Sequence, residues 1–269
     1  MEWNGVKELR LDVYLAENGL VKSRQRAKEL IKAGQVTVNG KTADKPALVV
    51  GESDRVNIEG EQLIYVGRGG LKLEKALREF GISLENRVCI DIGASTGGFT
   101  DCMLKSGAEY VYAVDVGHGQ LDDSLKGDER ILNMEGRNIL DMDPENFLRA
   151  PDFISADVSF VSLKRIIPRI NELLPENGEA VVLIKPQFEA GRADIGKGGI
   201  VKDRKVHVRV LEEVLSFAEG EGLFPQGMTY SPICGGDGNI EYLAHLKKAG
   251  NCRRYDCREI VSEAFDALK

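Results

Sequence analysis

Residues 88 to 100, Val-Cys-Ile-Asp-Ile-Gly-Ala-Ser-Thr-Gly-Gly-Phe-Thr, join a short apolar run to a glycine-rich turn. A short apolar run is typical of a buried parallel strand, and the loop at its carboxyl end faces the ligand crevice of an open α/β sheet. Gly93, Gly97 and Gly98 lie in that loop, where a residue without a Cβ atom lets the backbone approach a ligand and adopt positive φ. The segment therefore predicts a strand, a cofactor-binding turn and a helix.

The spacing of the glycines narrows the class of cofactor. Gly93-x-x-x-Gly97 differs from the dinucleotide pattern G-x-G-x-x-G, and no Gly-Lys-Ser/Thr follows to hold a triphosphate. A second apolar run ends in Asp115, and an acid about 20 residues beyond such a turn accepts hydrogen bonds from ribose hydroxyls. The combination resembles motif I and the next acidic position of S-adenosylmethionine-dependent methyltransferases. A tight turn without a ligand is the alternative, and Asp115 weighs against it.

Strand-like and helix-like segments alternate through the last two thirds of the chain. The strand-like segments are residues 88–92, 110–115, 152–157 and 179–185 with two more near Thr229 and Tyr242, and the helix-like ones include residues 68–77, 98–105, 163–174 and 203–219. Such alternation predicts a mostly parallel, doubly wound sheet. We therefore expect a Rossmann-like α/β fold preceded by a small α+β domain.

Charge is distributed unevenly along the chain. The 269 residues carry a formal net charge of −7, yet residues 20–41 hold six cations against the single acid Glu29. The overall charge argues against a generally basic coat for nucleic acid. The basic segment instead predicts one local surface for phosphate groups.

The remaining composition limits the location and the metal chemistry. The first ten residues are too charged for a signal peptide, and no run approaches the roughly 20 apolar residues of a membrane span, so we expect a cytoplasmic protein that does not bind membranes. The five cysteines lack paired C-x-x-C spacing, which favours neither a disulfide framework nor zinc. We expect Cys252 and Cys257 to be exposed, and His118, His207 and His245 to be structural or exposed rather than metal ligands.

The first 61 residues contain the signals of a small helical and stranded module. Ser23 is a candidate cap for a helix over residues 24–33 that Gly34 ends, and Asn39-Gly40 predicts a hairpin turn after a strand over residues 36–38. The pattern of residues 10–41 resembles the S4 RNA-binding module. That resemblance implies binding to structured RNA through its shape and backbone. A solvated basic helix is the alternative.

Cations of this module, together with one at the domain junction, are the candidate RNA contacts. They are Arg10, Lys22, Arg24, Arg26, Lys28, Lys32, Lys41 and Arg68.

Charged residues end two of the predicted strands. Asp157 follows the apolar residues 153–156, and Lys185 follows the apolar residues 180–184. Side chains at the carboxyl ends of parallel strands face the ligand crevice, so both are candidates for catalysis. Each alone is equally well explained as a cap or turn residue.

Residues 71–248 resemble the FtsJ-like 2'-O-methyltransferases, and the whole arrangement resembles the TlyA (hemolysin A) family. The resemblance implies S-adenosyl-L-methionine as cofactor and ribosomal RNA or ribosomal subunits as substrate. We expect no obligate protein partner. It implies a catalytic tetrad of Lys72, Asp157, Lys185 and Glu241. The implied cofactor contacts are Asp91, Gly93, Ser95, Gly97, Gly98, Phe99, Asp115, Asn138, Ile139 and Asp157. The expected organisation is an RNA-binding domain (1–61), a linker (62–70), the methyltransferase domain (71–248) and a tail (249–269).

The chemistry of methyl transfer to a hydroxyl needs alignment and an acceptor for the hydroxyl proton. Lys185 is the candidate base, although an ordinary lysine is protonated at neutral pH. Desolvation and nearby cations favour its neutral form, whereas Asp157 and Glu241 favour its charged form. A charged Lys185 would instead stabilise the developing alkoxide. The sequence leaves both roles open.

Three classes of function follow from these observations. The favoured one is a ribosomal RNA 2'-O-methyltransferase. A membrane-lytic protein is a second class, which the history of the family name raises, and a ribosome-assembly factor whose catalytic domain only senses cofactor is a third. The sequence does not identify the modified nucleotide or the ribosomal subunit.

Overall fold

The computed structural model describes residues 9–18, 20–21, 23–51, 54–58, 65–235 and 238–268. The chain divides into two compact units, Met1–Gln62 and Leu63–Lys269. The division falls one residue after the expected end of the RNA-binding domain. Residues 65–70 of the expected linker belong to the second unit, and a helix begins there at Gly69.

The first unit combines two helices with short antiparallel strands. Its elements are β1 (Leu9–Arg10), α1 (Leu11–Glu17), α2 (Arg24–Lys32), β2 (Val36–Val38), β3 (Lys41–Thr42), β4 (Val49–Val50) and β5 (Val56–Ile58). Strand β2 pairs with both β3 and β5, and β1 pairs with β4. Apolar side chains of both helices and of β2 form the core of this unit.

Two local signals of the first unit are confirmed. The Ser23 hydroxyl accepts a hydrogen bond from the Arg26 amide at 3.2 Å, so Ser23 caps α2. Asn39 and Gly40 have φ of 53° and 76°, the left-handed pair that a tight hairpin turn between β2 and β3 requires. Local chemistry therefore determines where this helix begins and where the hairpin reverses.

The second unit has an α/β framework of strands and helices. Its strands are β6 (Val88–Ile92), β7 (Tyr110–Asp115), β8 (Ile131–Glu135), β9 (Phe153–Ala156), β10 (Glu179–Ile184), β11 (Phe224–Tyr230) and β12 (Tyr242–Lys247). Its α-helices are α3 (Gly69–Phe80), α4 (Gly98–Lys105), α5 (Leu163–Leu173), α6 (Pro186–Glu189), α7 (Arg204–Gly220) and α8 (Cys257–Leu268), counting α6 as a single turn.

The described strands of this unit form one sheet in the order β11-β12-β10-β9-β6-β7-β8. Neighbours from β10 to β8 are parallel, and β12 is antiparallel to both β10 and β11. The predicted mostly parallel sheet is confirmed. Strand β8 was not predicted, because Asn133 and Glu135 interrupt its apolar pattern on a partly exposed edge.

Helices cover both faces of the sheet. Ile90 and Ile92 of β6 pack into a core formed with α5, α7 and α8, whereas Cys89 of the same strand packs into a core formed with α3 and α4. Alternate residues of a strand point to opposite faces, so a strand covered on both faces is apolar throughout. This is why the central strands appear in the sequence as continuous apolar runs.

The C-terminal segment, which the sequence predicted only as a tail, contains helix α8. Cys257, Val261, Ala264 and Phe265 recur at helical spacing along α8 and are buried in the core. The expectation of an exposed Cys257 thiol is wrong, because one face of α8 packs against the rest of the unit. Cys252 is half-buried.

Two of the three histidines are buried and one is exposed. His207 and His245 are buried and hydrogen-bonded, to Tyr242 and Val201 and to Glu179 respectively, and His118 is exposed. No group of three His, Cys, Asp or Glu side chains in the described ranges is placed to hold a metal ion. Within the same ranges, no helix is long and apolar enough to cross a membrane.

An ion cluster around the buried Glu179 joins the strands at the end of the sheet where β10 begins. Glu179 is 3% exposed and lies 2.5 Å from Arg87, 2.7 Å from His245 and 3.3 Å from Lys247. Burial by itself raises the pKa of Glu179, but the hydrogen bond from His245 and the charges of Arg87 and Lys247 outweigh it and lower the pKa to about 2. The ionised carboxylate therefore stabilises the fold above its unfolded pKa.

Replacing Glu179 by Gln is expected to lower the free energy of unfolding by about 2 to 3 kcal/mol at pH 7. Because the folded pKa is depressed, this difference between wild type and variant shrinks as the pH falls from about 4.5 towards 2. Urea unfolding at several pH values measures it, with Glu176→Gln on the exposed neighbouring turn as control. An equal loss at pH 7 and pH 2.5 would contradict the role of the ionised carboxylate.

Candidate active site

The sheet reverses its direction of growth between β6 and β9. Successive strands are added on one side of β6 up to β8, and β9 then returns to its other side. A crevice forms at the carboxyl ends of strands at such a switch point. Gly93 follows β6 with φ of 83°, and a Cβ atom there would collide with the backbone carbonyl of Asp157, which follows β9. Glycine is therefore required for the two strand ends to meet.

Backbone hydrogen bonds and tight packing hold the rest of the turn. Gly97 has φ of 91° and caps α4, and a Cβ atom there would collide with Leu125. Ser95 also has positive φ, 48°, and its amide donates to Asp115 at 2.8 Å. The turn thus presents its backbone at the opening of the crevice.

Asp115 ends β7 and connects the turn to the next loop. Its Oδ2 accepts from the Ser95 amide, and its Oδ1 accepts from the Gly117 amide at 2.7 Å. A carboxylate has about four acceptor positions, so both oxygens keep capacity for further donors. The Arg137 amide donates to the Asp115 carbonyl, which places the next residues near Asp115. Asn138 caps a short 3-10 turn there, and Ile139 is buried in that turn.

Asp91 lies beneath the turn rather than in the crevice. It is fully buried and accepts from the Thr100 hydroxyl at 2.7 Å and the Ser155 hydroxyl at 3.1 Å. Burial raises the pKa of Asp91 to about 7. Asp91 therefore ties β6 to α4 and β9, and it supports the turn from below.

The crevice is a cavity of about 410 Å³. The predicted site residues that line it are Lys72, Gly93, Ser95, Gly98, Phe99, Asp157, Lys185 and Glu241. Arg68, a predicted RNA contact, also lines it. The predicted cofactor residues that lie outside its lining are Asp91, Gly97, Asp115, Asn138 and Ile139.

The sequence did not indicate several lining residues. They include Gly67, Thr96, Ser159, Phe160 and Cys234. Phe160 lies three residues after Asp157, and Gln187 and Phe188, which also line the cavity, come just after Lys185. Their position directly after a catalytic candidate was the available signal.

Four charged side chains from four separate elements meet in the cavity. Lys72 of α3 lies 2.6 Å from Glu241 and 3.8 Å from Asp157. Lys185, at the end of β10, lies 2.5 Å from the other oxygen of Asp157 and donates to the Ser159 hydroxyl at 3.0 Å. The two cations and two carboxylates form one alternating chain of charges, Glu241–Lys72–Asp157–Lys185.

This chain of charges is largely removed from water. Lys72, Lys185 and Glu241 are 8%, 6% and 3% exposed, while the Asp157 side chain is 20% exposed. Buried charges are tolerated when they are paired, and losing one partner leaves a costly unpaired charge. Asp157 is the member most open to a ligand.

Three of the predicted RNA contacts of the first unit form ion pairs within the protein. Arg10 and Arg24 both bond to the buried Asp12, at 2.9 and 3.3 Å, and the hydrogen bond from Arg10 is the main cause that lowers the pKa of Asp12. Arg26 pairs with Glu29 at 3.1 Å. The other predicted contacts are Lys28, Lys32 and Lys41, of which Lys32 and Lys41 are exposed, and Lys22, which lies outside the described residues.

Two family models match this chain, and several known proteins are similar to it. The FtsJ-like methyltransferase family model matches residues 65–248, and the S4 domain model matches residues 9–56. YqxC of Bacillus subtilis is 46% identical over 98% of this chain and 96% of its own. The Mycobacterium tuberculosis 16S/23S rRNA (cytidine-2'-O)-methyltransferase TlyA is 39% identical over 90% of each chain. A solved hemolysin-like chain of Streptococcus thermophilus is 45% identical, covers 98% of both chains and superposes with a TM-score of 0.79.

The switch-point turn and the mostly parallel sheet, together with these matches, define an S-adenosyl-L-methionine-dependent methyltransferase. More narrowly, the chain belongs to the FtsJ-like methyltransferases that carry an S4 domain, the family of TlyA, YqxC and hemolysin A.

The residues of the cavity fit this cofactor. Its volume lies in the range of about 300 to 1,000 Å³ that is usual for small-molecule sites. The glycine turn leaves room for close approach to the backbone, and the buried side-chain oxygen of Gln187 has no hydrogen-bond partner among the described residues. An unpartnered buried polar atom at a cavity wall is suited to a ligand, because a ligand donor would satisfy it.

Gly93→Ala is expected to weaken S-adenosylmethionine binding by at least about tenfold, because the added methyl group would force apart the ends of β6 and β9. Isothermal titration calorimetry measures the affinity. Gly81→Ala is the matched control, since Gly81 also has positive φ, 66°, but a Cβ atom there meets nothing within 4 Å. Equal affinities of the two variants would show that the close approach is unnecessary.

Proposed function

We propose that this protein transfers a methyl group to the 2'-hydroxyl of a cytidine in ribosomal RNA, with Lys72, Asp157, Lys185 and Glu241 as its catalytic residues. The meeting of these four side chains at the switch point carries the proposal. They are 169 residues apart at the extremes, yet they line one cavity next to the glycine turn. The relative TlyA is named for this reaction.

The N-terminal unit supports RNA as the substrate class. The S4 domain match covers residues 9–56, and α2 carries cations on a protein whose overall charge is negative. Asp12 binds Arg10 and Arg24 together, so it holds two guanidinium groups of this unit in one place. Guanidinium groups that are held in this way are suited to phosphate oxygens.

Alignment is the main task of the catalytic residues, because S-adenosylmethionine supplies a methyl group that is already activated on its sulfonium sulfur. Asp157 is open enough to reach a ligand and is held from both sides by Lys72 and Lys185. Glu241 fixes Lys72 through a 2.6 Å ion pair. These contacts fix the positions of the two lysines. In the proposed mechanism the ribose hydroxyl is held against them.

Lys185 is the proposed acceptor of the hydroxyl proton. Its Nζ contacts Asp157 and Ser159, which leaves one of the three amine positions for the substrate oxygen. A Lys185 that keeps its proton would instead stabilise the alkoxide. The pH dependence of kcat separates the two roles, since a rate limited by a neutral lysine rises with pH, whereas a rate that needs the cation falls at high pH.

Lys185→Ala is expected to reduce kcat by about 10²- to 10⁴-fold, the usual range for loss of acid–base assistance. Methyl transfer from labelled cofactor measures the rate, and calorimetry checks that the cofactor still binds. Lys164→Ala is the control, because Lys164 forms a 2.9 Å ion pair with Glu213 outside the cavity. A Lys185→Ala protein with a normal rate would refute the assigned role.

Phe160 at the opening of the cavity supports a nucleotide substrate. Its side chain is 92% exposed, its φ is 63°, and its ring lies 5.0 Å from that of Phe188. A bulky residue with positive φ is strained, and an exposed ring gains nothing from burial. RNA-binding proteins use exposed aromatic rings to stack on unpaired bases. The proposed role of Phe160 is to stack on a base of the bound RNA.

Phe160→Ala is expected to lower kcat/KM for RNA by roughly 10- to 100-fold, since stacking of a base on an aromatic ring is worth about 1–3 kcal/mol. Cofactor affinity is the second readout and should change little. Leu148→Ala is the control, because Leu148 is also highly exposed at 91% but does not line the cavity. Equal losses in both variants would argue against stacking.

The function itself is tested by transfer of labelled methyl to purified ribosomal subunits and to naked ribosomal RNA from a strain that lacks this protein, followed by mapping of 2'-O-methylation. We expect one or a few modified cytidines. RNA binding without transfer, when cofactor binding is demonstrated, would favour the ribosome-assembly alternative. Leakage of liposomes with the purified protein, without transfer to RNA, would favour the membrane-lytic alternative.

A further inference from the structure

The segment between α6 and α7, residues 191–202, contains both acidic and basic residues. With the flanking residues 186–190 and 203 it contains three acids and three cations. The acids are bonded within the protein: Glu189 accepts from the Ser162 hydroxyl at 2.6 Å, Asp194 pairs with Arg209 at 2.6 Å, and Asp203 caps α7. The acids therefore serve the fold.

The three cations of the segment are Arg192, Lys197 and Lys202. All three are exposed, and none forms an ion pair with any acid in the part of the chain that the structure describes. The acids of the same segment are bonded to other groups, so none of them forms an ion pair with these three cations.

Buried polar contacts place this loop beside the cavity. Gln187 and Phe188, just before it, line the cavity. Asn239 is 1% exposed, donates to the Gly199 carbonyl at 3.0 Å and accepts from the Val201 amide at 3.1 Å. Asn239 lies two residues before Glu241, so the same short segment carries a catalytic candidate and anchors the loop.

The end of the loop is a tight turn that glycine makes possible. Gly198 and Gly199 have φ of 81° and 76°, and the Gly196 amide donates to the Ile200 carbonyl at 3.0 Å. Lys197 lies within this turn. These contacts fix the backbone on which Lys197 lies, which lowers the entropic cost of ordering that backbone on binding.

We propose that Arg192, Lys197 and Lys202 form a second RNA-contacting surface, on the catalytic unit, that binds phosphate groups of the strand entering the cavity. The proposal rests on the proposed function, because it assumes that RNA is the substrate. Its partner is the phosphate backbone, which lysine and arginine recognise without reading sequence. The S4 domain and this surface would then hold the substrate at two places.

The test compares two triple variants of the full chain. Arg192→Gln/Lys197→Gln/Lys202→Gln removes the proposed surface. Arg253→Gln/Arg254→Gln/Arg258→Gln removes three exposed cations from the segment after β12, where the Arg253 amide donates to the Pro225 carbonyl near the start of β11, at the opposite end of the sheet from the cavity. Binding to ribosomal RNA is measured at several salt concentrations, together with KM for RNA and the cofactor affinity.

We expect the first variant to make the negative slope of log K against log salt shallower by about 2 to 3, because each of the three lost phosphate contacts contributes roughly 0.7 to 0.9 to its magnitude. Its KM for RNA should rise at least tenfold, the control should resemble wild type, and Arg192→Lys/Lys197→Arg/Lys202→Arg should restore binding. Cofactor affinity should be unchanged in all of them.

Unchanged RNA affinity and salt dependence in the first variant, with wild type active on RNA, would overturn the surface while leaving the proposed function intact. The same would hold if the variant lost activity only on assembled subunits and kept full affinity for naked RNA, since the surface would then face a protein. A wild-type chain that neither binds nor methylates RNA would overturn the proposed function itself.

Discussion

The proposed active site depends on mutual neutralisation of four charges that are mostly withdrawn from water. Asp157 lies between Lys72 and Lys185, and Glu241 completes the series through Lys72. Each buried member would destabilise the fold without its partners, because the cost of removing its charge from water is offset only by the neighbouring opposite charges. The constraint explains why the fold must bring α3 and the ends of β9, β10 and the segment before β12 to one place.

The glycine turn meets a second requirement of the same site. The carboxyl ends of β6 and β9 approach so closely that only glycine fits at position 93. Asp91 fastens the two strands and α4 from beneath, in surroundings that favour its protonated form. The proposed cofactor turn and the charge cluster therefore lie at one edge of the sheet, as the alignment of two reactants requires.

Much of the fold could be predicted, and the failures have physical causes. The Ser23 cap, the Asn39-Gly40 turn and the buried strands depend on local chemistry and on apolar patterning. Strand β8 was missed because an exposed edge strand lacks a continuous apolar run. Helix α8 was missed because the residues after position 248 resembled no motif, although its apolar residues recur at helical spacing.

The sequence by itself determined the class of fold, the glycine turn and the four catalytic candidates, because these depend on short motifs and on a recognisable family pattern. Only the tertiary structure decided which side chains meet. The positions of three side chains depend on contacts between distant segments: Phe160 at the cavity opening, Gln187, whose buried oxygen has no partner among the described residues, and Asn239, which anchors the 191–202 loop. Such contacts follow from how helices and strands pack against one another, and no local pattern of residues encodes that packing.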